Sequence, residues 1–182
     1  MKMNNLKYKK NIQTKILSEF LLGLNKNTLK DFTYFGKIDS ITINNIVQNE
    51  IKRNDKIKYF VFLNDEMIGY GFLTKFEKFS KQHNCILGIV IADLWQNKGY
   101  GKKICQHMIN SAWKGNFNKI WLTVYEENKI AIKMYKSLGF EIEGVFINDE
   151  IVDMKEKNVV SMAIFKDKNF NSKKRKKIMG IS

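Results

Sequence analysis

Apolar residues recur at helical spacing in the first third of the chain and at strand spacing after it. Ile12, Ile16, Phe20 and Leu24 share one face, with Leu17 and Leu21 beside them, which predicts a helix over residues 12–24. A short second helix is expected from Asn27 to Phe35. A third is expected from Thr42 to Lys52, where Ile43, Ile46, Val47 and Ile51 align. Then the period changes. KYFVFL and MIGYGFLT read as two strands joined by the turn Asn64-Asp65-Glu66, and CILGIVIA, rich in β-branched residues, as a third. Beyond QNKGYG, Ile104, Cys105, Met108, Ile109 and Ala112 mark an amphipathic helix. KIWLTVY follows as a strand, and Ala131, Met134, Tyr135 and Leu138 mark another helix, with Gly139 placed to end it. Strands are expected at Glu141 to Ile147 and Val159 to Phe165. Helices, three strands, helix, strand, helix and two strands make a sheet domain of α/β or α+β class and exclude a bundle.

Length and composition narrow this picture only modestly. The 182 residues suffice for one domain with its own core, expected over residues 1–166. Residues 167–182 shift in composition and include Lys173-Lys174-Arg175-Lys176-Lys177, a self-repelling run that reads as a solvated tail. The formal charge of +14 invites a nucleic-acid or ribosome contact through that tail, but of 32 basic residues only Arg53 and Arg175 are arginine. Sites that grip phosphates bidentately favour arginine's planar fork. No apolar run nears the roughly 20 residues of a membrane span. The polar N-terminus has no signal-like core, and Cys85 and Cys105 show no framework spacing, so a reducing cytoplasm is the expected setting. No metal site is expected: His83 and His107 are the only histidines, and Cys105 and His107 diverge on their helix.

The chemistry-bearing stretch is Gln96-Asn97-Lys98-Gly99-Tyr100-Gly101, between a strand and a helix. A helix start presents unpaired N–H groups and the positive end of the dipole, which suits phosphate. Gly99 and Gly101 would clear the approach and permit unusual dihedrals, while Lys98, Lys102 and Lys103 add charge. The dinucleotide fingerprint fails because position 104 is Ile. The nucleotide-triphosphate loop fails because no Gly-Lys-Ser/Thr follows Gly99 at the required spacing.

Downstream stands Asn128-x-x-Ala131-x-x-x-Tyr135-x-x-x-Gly139-Phe140. Together with Gln-x-x-Gly-x-Gly after a strand, it resembles the GNAT superfamily of acetyl-CoA-dependent N-acetyltransferases. The likeness runs from about Tyr59 to Phe165 and is best from Ile86 to Gly144. It implies a mixed, mostly antiparallel central sheet flanked by helices, with strands splayed at the CoA site. It also implies that backbone amides from Gln96 to Gly101, with Lys102, hold the CoA pyrophosphate. Ile89, Val90 and Ile91 would pair with the pantetheine arm, and Asn128 would contact the cofactor. Tyr135 would give its proton to the departing sulfur. By residue type alone, Asn128 also reads as a helix cap and Tyr135 as core packing.

Where the family would place a glutamate base, this chain has Cys85 and Thr123. Glu77, His83 and Glu126 are the nearby alternatives, and Thr123 could hold a water. The acceptor is expected between Leu24–Lys37, with Phe32, Tyr34 and Phe35, and Asn148–Asn158, with Asp149, Glu150, Asp153 and Glu156. A small-molecule amine leads: a nucleotide-linked aminosugar, an amino acid derivative or a polyamine. A protein N-terminus of ribosomal type, an antibiotic, and a non-catalytic CoA-binding module are the alternatives. Either a monomer or a homodimer is compatible with the sequence.

Overall fold

The run from Tyr59 to Leu63 is apolar at successive positions because both faces of its strand are covered. Tyr59, Val61 and Leu63 pack in one core, Phe60 and Phe62 in another, the alternation a pleated strand imposes. The structure, a computed structural model, describes residues 6–32 and 39–167. Its strands are β1 (Lys7–Lys9), β2 (Lys56–Leu63), β3 (Glu66–Lys75), β4 (Asn84–Ile91), β5 (Lys119–Tyr125), β6 (Glu141–Val152) and β7 (Lys155–Phe165). Its helices are α1 (Thr14–Leu22), α2 (Lys26–Phe32), α3 (Ser40–Lys52), α4 (Tyr100–Lys114) and α5 (Lys129–Ser137). Tyr34, Phe35 and the basic run Lys173–Lys177 lie outside the described residues.

The strands form one seven-stranded sheet in the order β1-β2-β3-β4-β5-β7-β6. Neighbours are antiparallel except β4 and β5, which run parallel. The mixed, mostly antiparallel sheet flanked by helices is therefore the one expected. α4 and α5 cover one face through Ile104, Met108 and Ile132; α1 and α3 cover the other through Leu17, Ile43 and Val47. Among the described residues no helix is long and apolar enough to cross a membrane.

Three differences from expectation have local causes. β1 is only three residues of alternating Lys and Tyr, too short to show a period, and is held by pairing with Phe60 to Phe62. The first helix stops at Leu22 because Gly23 turns its N–H back to Glu19 and Leu21. The stretch from Asn148 to Asn158, expected as a loop, instead extends the last hairpin: Glu150 pairs with Lys157 and Val152 with Lys155. Its turn puts Asp153 and Met154 at φ 50° and 58°. Two positive φ values suit a tight hairpin, but Asp-Met lacks the glycine that signals one.

β4 and β5 decide where the site lies. They pair only at Asn84, Cys85 and Ile86, opposite Lys119, Ile120 and Trp121. Beyond that point β5 continues along β7 as far as Tyr125, while β4 follows β3 to Ile91. The two strands separate into a V, and the edge of β4 from Ile89 onward loses its neighbour.

Candidate active site

The V opens into a cleft of roughly 540 Å³, within the range of small-ligand sites. One wall is the β4 edge, with Ile89, Val90 and Ile91. A second is the loop into α4, a third is α5, and α2 closes a fourth with Thr28, Lys30, Asp31 and Phe32. β5 contributes Thr123 to Tyr125, and the last hairpin contributes Glu150 and Val159. At the cleft floor Phe72 lies over Gly88. A Cβ at Gly88 would come within 2.3 Å of the Phe72 ring, so this glycine is what lets the ring cross β4.

At the helix start Gly99 has φ +82°, and a Cβ there would meet nothing within 4 Å. It supplies both the left-handed turn into α4 and open space before the helix. Gly101 differs from expectation: it lies inside α4, and its bare Cα accommodates Met134, whose sulfur would be 3.1 Å from a Cβ. Among the described residues no N–H from Asn97 to Lys102 donates to a protein acceptor. Gln96 is different again. Its N–H is already given to Asp93, and its side-chain Nε2 donates to the Ile91 carbonyl at 3.1 Å and to Thr28 Oγ1 at 3.2 Å. The amide of Gln96 is thus not available to a phosphate. Asn97, Gly99, Gly101 and Lys102 line the cleft, whereas Lys98 and Tyr100 turn to Trp95 on the outer side.

Asn128 lines the cleft and also caps α5, its Oδ1 accepting from the Ala131 N–H at 3.0 Å. Tyr135 is 8% exposed and sits edge-on to Phe140 at 5.6 Å. Its hydroxyl has no hydrogen-bond partner among the described residues. Tyr135 is one of the residues that line the cleft. Burial pushes its pKa above the ordinary tyrosine value, with a smaller push from Cys105. The phenol therefore holds its proton throughout the neutral range.

The expected base positions are not assembled here, with one exception. Thr123 faces the cleft. Cys85 is fully buried in the core, where burial pushes its thiol up to about 12. Glu77 is exposed before β4, and His83 lies at the far end of that strand, about 20 Å of extended chain from Ile89. Glu126 accepts from Asn158 Nδ2 at 2.8 Å and is not a cleft residue. Sequence reasoning passed over Thr28, Asp31, Phe72 and Tyr125. The first two, with Phe32, stand at i, i+3 and i+4 on α2, a spacing that could have marked one functional face. Among the described residues no three His, Cys, Asp or Glu side chains converge on a metal position.

α2 is held over the cleft by side chains from afar. Asp93 accepts from the Asn25 N–H at 2.8 Å and from Thr28 Oγ1 at 2.6 Å. Lys30 pairs with Asp153 on the last hairpin. Burial alone would raise the Asp93 pKa, yet the bonds from Thr28 and Asn25 hold it below the ordinary aspartate value. A depressed carboxylate stabilises the fold above its unfolded pKa and loses that contribution as pH falls through the folded value. Asp93→Asn keeps an acceptor but removes the charge, and is expected to cost about 1 kcal/mol at neutral pH, the difference between a charged and a neutral acceptor. The gap from wild type should close on acidification below about pH 3.9. Thermal melts across pH check this, and a gap that is constant in pH would show that the charge is immaterial.

Residues 26–140 match the Acetyltransferase (GNAT) family. Over 84 residues the chain is 31% identical to the L-amino acid N-acetyltransferase AaaT of Escherichia coli K12, covering 45% of this chain and 51% of that protein. It is 30% identical over 78 residues to the spermidine N(1)-acetyltransferase of the same organism, covering 42% of each. The chain thus spans about half the length, or less, of these curated relatives. A crystal structure of spermidine N-acetyltransferase from Vibrio cholerae, in complex with CoA and spermine, superposes with a TM-score of 0.76. That match is 21% identical and covers 91% of this chain and 98% of the other, a likeness of fold. With the family match spanning most of the chain and the β4–β5 divergence set beside the glycine-started α4, this protein belongs to the Acetyltransferase (GNAT) family.

Proposed function

We propose that this chain transfers an acetyl group from acetyl-CoA to a primary amine on a small molecule. The observation that carries it is the meeting of three features on one cleft: an unpaired β4 edge, a helix start with unpartnered amides, and the hydroxyl of Tyr135. These residues fit acetyl-CoA. The open space before Gly99, the N–H groups of Asn97 to Lys102 and the Lys102 charge suit a pyrophosphate. The β4 edge from Ile89, whose Ile91 carbonyl is already taken by Gln96 Nε2, suits an amide-bearing pantetheine arm, and Asn128 lines the same cleft. Acetyl-CoA supplies the acetyl group as a thioester, already activated for attack. Backbone donors on β4 would polarise its carbonyl. Tyr135 would protonate the departing sulfur.

The acceptor is a small amine: an amino acid derivative, a polyamine or a nucleotide-linked aminosugar. Asp31 and Glu150, both lining the cleft, favour a cationic one. The two curated relatives named above act on an L-amino acid and on spermidine, both amines. An amine panel with mass detection of the acetylated product tests this. It should include L-amino acids, spermidine, a nucleotide-linked aminosugar and a peptide with a free N-terminal alanine. Acetylation of at least one small amine is expected. Acetylation of the peptide alone would move the activity to protein N-termini. Silence with CoA bound would leave a non-catalytic CoA-binding module.

A further inference from the structure

Attack on a thioester needs a neutral amine, and an alkyl ammonium with a pKa of about 10.4 must first lose a proton. Acetyl transfer as proposed leaves that proton without a destination. Cys85 is sealed in the core, Glu77 and His83 lie off the cleft, and Glu126 is bound by Asn158. Among the described residues two carboxylates line the cleft, Asp31 and Glu150. Glu150 already accepts a hydrogen bond from the Tyr125 hydroxyl. Asp31 differs. Its Oδ2 lies 3.4 Å from Nδ2 of Asn128, the residue that caps the helix bearing Tyr135.

The helix that carries Asp31 is pinned on both sides of it. Thr28 is bound by Asp93 and Gln96, and Lys30 by Asp153. We propose that Asp31 is the proton acceptor for the attacking amine, held beside the head of α5 by Asn128 and by the pins on α2. This rests on the acetyl-transfer reading of the cleft.

The step balances simply. The ammonium gives one proton to the Asp31 carboxylate, and the freed lone pair forms the C–N bond as the C–S bond breaks. The sulfur takes its proton from Tyr135, and the nitrogen's second proton passes to water. Asp31 returns its proton to solvent, and Tyr135 recovers one, as the products leave. The charged surroundings of Asp31 are mixed. Lys157 from β7 and the hydrogen bond from Asn128 favour the ionised form, and Glu127 before α5 opposes it; Lys30, Lys102, Glu150, Tyr125 and Tyr135 line the same cleft. Withdrawal of the carboxyl from water beside α5 raises its pKa above the ordinary aspartate value; Lys157 opposes that rise and Glu127 adds to it. A carboxylate so placed is closer to the working pH of a base than an exposed one.

Steady-state rates against pH, on the full chain with acetyl-CoA and the best amine of the panel, test the assignment. Asp31→Asn is expected to lower kcat/KM for the amine about 100-fold and to abolish the acid limb of the profile. Asp31→Glu should recover part of the rate, and Glu150→Gln should keep the acid limb. CoA affinity by calorimetry should change far less than the rate in Asp31→Asn, since an asparagine there can still accept from Asn128 Nδ2, the contact that reaches the donor side. A wild-type profile in Asp31→Asn overturns the assignment, as does loss of the limb in Glu150→Gln instead. A drop in CoA affinity as large as the drop in rate also overturns it, because Asp31 would then be serving the donor site. A wild-type chain that acetylates nothing in the panel overturns acetyl transfer itself, and the role of Asp31 with it.

Discussion

Replacing Tyr135 with phenylalanine is expected to lower turnover about 100-fold, the lower end of what a general acid supplies, while affinity for acetyl-CoA barely moves. The prediction depends on Tyr135 having two parts. Its ring is core: 8% exposed and edge-on to Phe140. Its side chain lines the cleft, and its hydroxyl has no partner among the described residues. Phenylalanine keeps the first part and deletes the second, so the melting temperature should hold while the chemical step slows. Because burial raises the phenol's pKa, Tyr135 stays protonated through the neutral range and remains a donor there. A basic limb near neutrality would have to come from another group. Steady-state kinetics beside calorimetric CoA binding checks this. Unchanged turnover would leave Tyr135 with core packing alone.

The largest stability effect is expected away from the cleft, at Glu50. Its carboxylate accepts Lys56 Nζ at 2.8 and 2.9 Å and the hydroxyl of Tyr70. The two charged side chains are only 9% and 15% exposed, with Lys56 above the Phe72 ring at 3.9 Å. Glu50→Ala leaves an ammonium and a phenol withdrawn from water without their acceptor. Breaking such a pair costs about 3 kcal/mol, or roughly 6–12 °C in melting temperature for a chain of this size. Burial already lowers the Lys56 pKa against the pull of Glu50. Without Glu50 the folded value falls further below the unfolded one, so the folded chain binds fewer protons than the unfolded chain. The deficit should therefore shrink as pH rises. Glu50→Leu with Lys56→Met, which removes both charges, should recover much of the loss. A single substitution that melts like wild type would show that the pair is solvated in solution. Phe72 also lines the cleft, so the pair bears on the cleft floor as well as on α3.

Much of this protein was legible along the chain because the relevant physics is local. Short apolar runs rich in β-branched and aromatic residues marked β2 to β5, and helical stripes marked α1, α3, α4 and α5. Gly99 and Asn128 announced a helix start and a cap through their own backbone and side-chain chemistry. Other features stayed hidden because they are made by pairing. β1 exists only against β2, and the polar stretch beyond Ile147 becomes strand only because β6 and β7 lie side by side. Gln96 reads as one more amide for a phosphate, but its N–H turns back to Asp93, and only the fold brings Thr28 and the Ile91 carbonyl to its side chain.

By itself the sequence determined the class of sheet domain, the loop that starts α4, and the helix that carries Asn128 and Tyr135. Those depend on residues near one another in the chain, where side-chain period and backbone preference act directly. Only the tertiary structure decided which carboxylates face the cleft. Cys85 turns inward because the pleat points it at the core, Glu77 and His83 fall away with the far end of β4, and Asp31 and Glu150 arrive from segments 119 residues apart. No local pattern brings those two together. The divergence of β4 from β5 after Ile86 does, by opening a space that α2 and the last hairpin close.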